Sequence, residues 1–164
     1  MVNIALVGCN GKMGKAVTSA VQSRNDCEIV FGADPFGTPA YDYPVFESLA
    51  VSDKKADVII DFSNPASLDD ILAYALEKKI PCVLCTTGYS PEQVEKIKKA
   101  SESVAVFYSG NMSLGINLLI ELSKEAAKIL GAADFDIEIV EKHHNQKIDA
   151  PSGTALMIAD GISD

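Results

Sequence analysis

The chain has 164 residues and a mass of 17.4 kDa, enough for one large domain or one domain and part of a second. Hydrophobic residues make up 48% and charged residues 23%, a globular balance that argues against disorder. With 23 acidic and 14 basic side chains the net charge is −9 and the pI is near 4.6, so DNA and RNA backbones are poor partners. No apolar run reaches the length of a membrane span. The opening Met1-Val2-Asn3-Ile4 lacks the basic stretch and cleavage site of a secretory signal. The expected location is therefore cytoplasmic, with Cys9, Cys27, Cys82 and Cys85 as reduced thiols.

In chain order, Val2–Val7 is a short apolar run ending at Gly8 and reads as a buried strand. Residues 12–24 read as a helix, and Cys27–Ala33 as a second strand ending at Asp34. Residues 35–44 contain three prolines, a glycine and two tyrosines and read as a loop. Ala56–Phe62 is a third strand. Asn64 then supplies a side-chain cap and Pro65 a first helical residue, with Leu68, Ile71, Leu72, Ala75 and Leu76 at helical spacing. Ile80–Cys85 is a fourth strand, Ser90-Pro91 opens a helix to about Ala100, and Val104–Tyr108 is a fifth strand. Strand and helix alternating in this way predict a parallel sheet covered on both faces, with ligands at the carboxyl ends of the strands. The loops of interest are then 8–14, 34–36, 62–64, 85–88 and 108–113.

After Ser113 the pattern changes. Leu114, Leu118, Leu119, Leu122, Ala126, Ile129 and Leu130 mark a long amphipathic helix, expected to stop with Gly131 as the residue just past its end. Phe135–Val140 alternates and is expected to be a strand with one exposed face. The division expected is 1–113 as a first domain and 114–164 as part of a second.

Three motifs bear on chemistry. Gly8-Cys9-Asn10-Gly11-Lys12-Met13-Gly14 joins a strand to a helix as G-x-x-G-x-x-G, and Asp34 follows 20 positions after Gly14. Glycines allow a pyrophosphate close to the backbone, the helix start supplies N–H groups, and the carboxylate takes ribose hydroxyls. A ligand-free glycine turn would not need that acidic residue. The fold class is thus α/β, a Rossmann-type parallel sheet followed by the start of an α+β domain. Cys82-x-x-Cys85 lies on a strand, where residues three apart face opposite ways, so packing is favoured over metal or redox chemistry. No structural zinc spacing is present, and Ser152 is not on a nucleophile elbow. Glu92, Glu95, Lys96, Lys98 and Lys99 read as a solvated helix face. The stretch from Glu141 to Ala155 holds both histidines, His143 and His144, then Lys147, and then Pro151-Ser152-Gly153-Thr154 opening a helix. Imidazole, ammonium and a helix start together point to an anionic small substrate and proton transfer, against a plain polar loop with an ordinary cap.

His143-His144 through Lys147, with Asp149-Ala150-Pro151-Ser152-Gly153-Thr154-Ala155, resembles the signature of the dihydrodipicolinate reductase family. The glycine loop, Asp61-Phe62-Ser63, Thr86-Thr87-Gly88 and Ser109–Gly115 resemble the same family in the same order. The resemblance implies hydride transfer from NADH or NADPH to a cyclic dicarboxylate, giving tetrahydrodipicolinate on the diaminopimelate route to lysine. It implies that Gly8, Cys9, Asn10, Gly11, Lys12 and Met13 hold the pyrophosphate and Asp34 the adenosine ribose. Cys85, Thr86 and Thr87, with Ser109, Gly110, Asn111 and Met112, would line the nicotinamide side. His143 matches the proton-donor position and Lys147 the second catalytic one, while His144, Gly153 and Thr154 match substrate-carboxylate contacts; no metal is implied. Cys85 stands where many relatives have glycine. The family is homotetrameric, with a longer chain, and the expectation is that the tetramer-forming segment is missing here. The competing readings are a dinucleotide-binding module without catalysis and another Rossmann amino- or hydroxy-acid dehydrogenase. The Asp34-Pro35 pair, with no arginine beside it, predicts NADH binding at least as good as NADPH.

Overall fold

The computed structural model describes residues 1–36, 41–145 and 150–163. The chain forms two compact units, Met1–Ser109 and Gly110–Asp164.

The first unit is a six-stranded sheet of β1 (Val2–Val7), β2 (Cys27–Ala33), β3 (Val45–Phe46), β4 (Val58–Asp61), β5 (Cys82–Leu84) and β6 (Val106–Tyr108). Its order is β3-β2-β1-β4-β5-β6 and every pairing is parallel. Helices α1 (Lys12–Gln22), α2 (Leu68–Lys78) and α3 (Pro91–Ser101) connect the strands. Neighbouring strand residues point to opposite faces, and each face has its own core. Ala5, Val7, Phe31, Ile59 and Leu84 pack with Leu68, Ile71 and Leu72 of α2 and Ile97 of α3. Ile4, Leu6 and Cys9 pack with Val17 and Val21 of α1 and with Tyr41 and Tyr43. Coverage on both faces explains the unbroken apolar runs in these strands.

Local signals set the helix starts. Asn64 Oδ1 accepts the Ala66 N–H at 3.0 Å, and a 3₁₀ turn over Pro65–Ser67 leads into α2. Ser90 and Gln93 form a reciprocal capping box at α3. The charged residues of α3 are on its exposed side, where Lys96 pairs with Asp69 and Lys98 with Glu95. Strand β3 was not expected. Its two residues follow the proline-rich loop, and a pair that short carries no readable alternation.

The second unit contains α4 (Leu114–Gly131) and α5 (Gly153–Ser163). They approach closely at Gly161, where a Cβ would come within 2.8 Å of Ile120 Cγ2. Two expectations are corrected here. Gly131 is the last residue of α4 rather than the residue beyond it. The left-handed residue is Asp134, at φ 64°. Its N–H donates to Gly131 O at 3.2 Å and the Phe135 N–H to Leu130 O at 3.1 Å, the paired closure of a Schellman end. Phe135–Val140 is exposed and is not a strand. Among the described residues no neighbouring strand takes its backbone hydrogen bonds, and alternation alone cannot form a ladder.

Candidate functional site

The glycine turn is shaped by close backbone contacts. Gly8 leaves β1 at φ 76°, a left-handed conformation suited to glycine. A Cβ there would lie 2.6 Å from Phe62 O, and one on Gly14 would lie 2.3 Å from Gly8 O. The Gly11 N–H donates to Gly8 O at 3.1 Å. The turn therefore lies directly against the first turn of α1, whose N–H groups have no intrahelical acceptors.

A cavity of about 570 Å³ opens at the carboxyl ends of β1, β2 and β4, lined by Gly8, Asn10, Gly11, Asp34, Phe36, Ser63 and Asn64 among others. Asp34 Oδ2 accepts the Asn10 N–H at 3.0 Å and Oδ1 the Phe36 N–H at 2.9 Å. Each carboxylate oxygen keeps a second acceptor site, which suits a pair of ribose hydroxyls. Lys12 and Met13 are exposed at the start of α1. Cys9 turns its thiol into the core against Gly32. Its carbonyl accepts the Tyr41 hydroxyl at 2.8 Å.

Asp61, at the end of β4, is fully buried. Its Oδ1 accepts the Ser63 N–H at 2.9 Å and the Ser63 hydroxyl at 2.5 Å, and its Oδ2 accepts the Tyr89 hydroxyl at 3.1 Å. One carboxylate thus ties the loop after β4 to the loop after β5. Burial, with the Asp61 charge second, pushes the Tyr89 phenol above its ordinary range. Cys85 and Thr86 follow β5 and are buried, whereas Thr87 is exposed. Thr86 Oγ1 interacts with the Tyr89 phenol but has no partner in hydrogen-bond geometry among the described residues. A buried hydroxyl in that state is suited to a ligand's polar group. Ser109 follows β6, its N–H donating to Leu84 O at 3.1 Å.

Burial also raises three thiols to about 11. For Cys9 the Asp34 charge adds to it, and for Cys82 and Cys85 the Asp61 charge does. All three are thiols rather than thiolates at neutral pH, which removes them as nucleophiles. Among the described residues no group of three or more His, Cys, Asp or Glu could hold a metal, and no helix is long and apolar enough to cross a membrane.

In the second unit the histidine stretch meets the start of α5. Glu141 Oε1 accepts the Ser152 N–H at 2.8 Å, and Oε2 accepts the Ser152 hydroxyl at 2.5 Å. Oε2 also lies 2.9 Å from His143 Nε2. Ser152 Oγ accepts the Ala155 N–H at 3.1 Å and so caps α5. The two Ser152 bonds and then His143 hold the Glu141 carboxyl well below its usual range, at about 2. Gly153 and Thr154 begin α5, and Thr154 Oγ1 accepts from Asn111 Nδ2 at 3.2 Å. Gly110 and Met112 flank Asn111 and are exposed, as is His144. Lys147 lies outside the described residues.

Sequence reasoning brought His143, Gly153 and Thr154 to one place. It assigned no role to Asp61, Tyr89, Glu141 or Ser152. Glu141 could have been found, because residues two apart on an extended chain share a side and His143 needs an orienting partner. Asp61 and Tyr89 are 28 positions apart, with no local pattern connecting them.

The strand order, the glycine turn and the carboxylate at the end of β2 place the protein in the Rossmann class of α/β folds. The family model described as dihydrodipicolinate reductase, N-terminus, matches residues 2–112, and the one described as its C-terminus matches residues 115–164. The chain belongs to the dihydrodipicolinate reductase family. It is 53% identical over 164 residues to a 4-hydroxy-tetrahydrodipicolinate reductase of Clostridium tetani, covering 100% of this chain and 64% of that relative. A reductase of the same name from Caldanaerobacter subterraneus is 50% identical, with 99% and 64% covered. The solved dipicolinate-bound dihydrodipicolinate reductase of Paenisporosarcina sp. TG-14 superposes with a TM-score of 0.76 at 31% identity, covering 99% of this chain and 66% of that one. The chain thus spans somewhat under two thirds of the length of these relatives.

Proposed function

We propose that the chain serves the NADH- or NADPH-dependent reduction of 4-hydroxy-tetrahydrodipicolinate (dihydrodipicolinate) to tetrahydrodipicolinate, a cytoplasmic step on the diaminopimelate route to lysine. The observation that carries this reading is His143 held against the start of α5 by Glu141 and Ser152, immediately before Gly153 and Thr154. An imidazole beside a helix start suits an anionic substrate that must also receive a proton. The family match over both units and the Rossmann cradle support it.

In this reading Gly8, Asn10, Gly11 and the start of α1 hold the pyrophosphate, and Asp34 holds the ribose hydroxyls. Cys85, Thr86 and Thr87, with Ser109, line the nicotinamide side. When bound, the reduced nicotinamide supplies the hydride. The N–H groups at Gly153 and Thr154, with His144 and Lys147, take the substrate carboxylates. Hydride addition at one atom leaves a second atom to be protonated, and His143 supplies that proton.

Fluorescence titration with NADH, calorimetry with dipicolinate and an NADH-oxidation assay test the reading. His143→Gln should lower kcat about 10²-fold with little change in NADH affinity. NADH should bind at least as tightly as NADPH. Asp34→Asn should shift that ratio toward NADPH by about tenfold, because it removes a like charge facing the 2′-phosphate. A chain that binds NADH, yet neither binds dipicolinate nor oxidises NADH with the substrate, would overturn the assignment.

A further inference from the structure

The geometry points to Glu141 as a positioning residue that fixes the His143 ring with Nε2–H turned toward its carboxylate, leaving Nδ1 as the nitrogen that exchanges the proton. This inference rests on the proposed reduction and deepens it by naming the atom and the group that selects it.

Both carboxylate oxygens of Glu141 are engaged. Oε1 is engaged by the Ser152 N–H at 2.8 Å, and Oε2 by the Ser152 hydroxyl at 2.5 Å and by His143 Nε2 at 2.9 Å. An ionised carboxylate only accepts, so the imidazole nitrogen facing it must carry hydrogen. In the neutral ring Nδ1 is then the acceptor, and in the imidazolium it is the second donor. Ser152 is buried at 3% exposure and caps α5 through the Ala155 N–H. The carboxylate is therefore anchored to a helix end rather than hanging from a loop. Its side chain is 27% exposed against 41% for His143, so the anchor lies deeper than the ring it orients. A histidine left alone on this exposed segment would sample both tautomers and several ring angles. Glu141 selects one, because an acceptor-only carboxylate fixed by Ser152 faces Nε2.

The test separates this inference from the reaction it serves. The ¹⁵N shifts of the His143 ring, assigned by their loss in His143→Gln, report the tautomer without any turnover. In the wild-type chain they should show the Nε2–H form above the pH at which the ring is charged. Glu141→Gln should give a mixture, because the carboxamide can offer Nε2 an acceptor or a donor. Steady-state assay of the same variant should show kcat down roughly 10- to 100-fold with KM for NADH unchanged. Ser152→Ala, which keeps the Ser152 N–H, should give a smaller loss in the same direction, and far-UV circular dichroism confirms that each variant is folded. An unchanged tautomer in folded Glu141→Gln overturns the pairing. A changed tautomer with unchanged kcat overturns the positioning role while the reductase reading stands. A wild-type chain inactive in the NADH-oxidation assay overturns that reading instead, and the ¹⁵N comparison still decides what Glu141 does to His143.

Discussion

Replacing Gly14 by alanine tests whether the nucleotide turn is built by backbone contact. The added Cβ would lie 2.3 Å from Gly8 O, 2.5 Å from Cys9 Cα and 2.6 Å from Cys9 O. Real Cβ contacts essentially never fall under 3.0 Å, so the nearest atom must move by about 0.7 Å. All three atoms are main chain or Cα, so no side chain can swing away. The Gly8 carbonyl that must move is the acceptor for the Gly11 N–H. Overpacking of this kind costs about 1–3 kcal/mol, and a rigid backbone neighbour places it at the upper end. At roughly 2–4 °C per kcal/mol for a chain of this size, melting should fall by about 5–10 °C. Gly11→Ala is the matched control, because its Cβ would meet only Gly8 O, at 3.3 Å. That variant should melt within about 2 °C of the parent yet bind NADH more weakly, since Gly11 lines the cavity. Calorimetric melting and NADH fluorescence measure both. Equal melting temperatures for Gly14→Ala and the parent would refute the reasoning.

Asp61→Asn should destabilise the first unit by about 1–3 kcal/mol in urea unfolding, because Ser63 and Tyr89 donate to different oxygens and an amide turns one of the two into a donor; an unchanged midpoint would mean that the loops do not need this carboxylate. Thiol labelling of the native chain with a disulfide reagent should proceed at Cys27 well before Cys9, Cys82 and Cys85, whose pKa values are raised to about 11 and whose side chains are buried. Peptide mapping after partial reaction checks the order. Glu141, lowered to about 2 from 4.5, stabilises the fold above its unfolded-state pKa, and that contribution is lost as pH falls through about 2. Acid titration followed by ¹³C NMR of the Glu141 carboxyl should place its midpoint near 2. A midpoint near 4.5 would show that the Ser152 clamp does not form in solution.

Elements made of local signals were legible in the sequence. Val2–Val7 and Cys27–Ala33 have the bounds expected of them because each is an apolar run closed by a residue that ends a buried strand, Gly8 and Asp34. The caps at Asn64 and Ser90 were likewise local, each accepting an N–H two or three residues on. Where the outcome depended on a distant neighbour, the pattern was not enough. Phe135–Val140 alternates like a strand but finds no ladder among the described residues. The end of α4 is set by the left-handed turn at Asp134 rather than by the glycine before it. The cavity residues Gly8, Asn10, Gly11 and Asp34 could be read because a glycine spacing and one acidic residue encode them. Asp61 with Tyr89, and Glu141 with Ser152, could not, because each pair is brought together by the fold across 28 and 11 positions.

The contact of Gly8 with Phe62 bears on redesign. Where β1 and β4 end, two main chains touch with no side chain between them, so the floor of the cavity has a width that substitution can widen only by moving a strand. The rim is different. Pro35, Phe36, Glu47 and Ser48 line the same cavity and carry side chains that substitution can exchange. A library aimed at changing which dinucleotide is accepted therefore has a natural partition: hold residues 8, 11, 14 and 62 constant as a chassis, and vary 35, 36, 47 and 48.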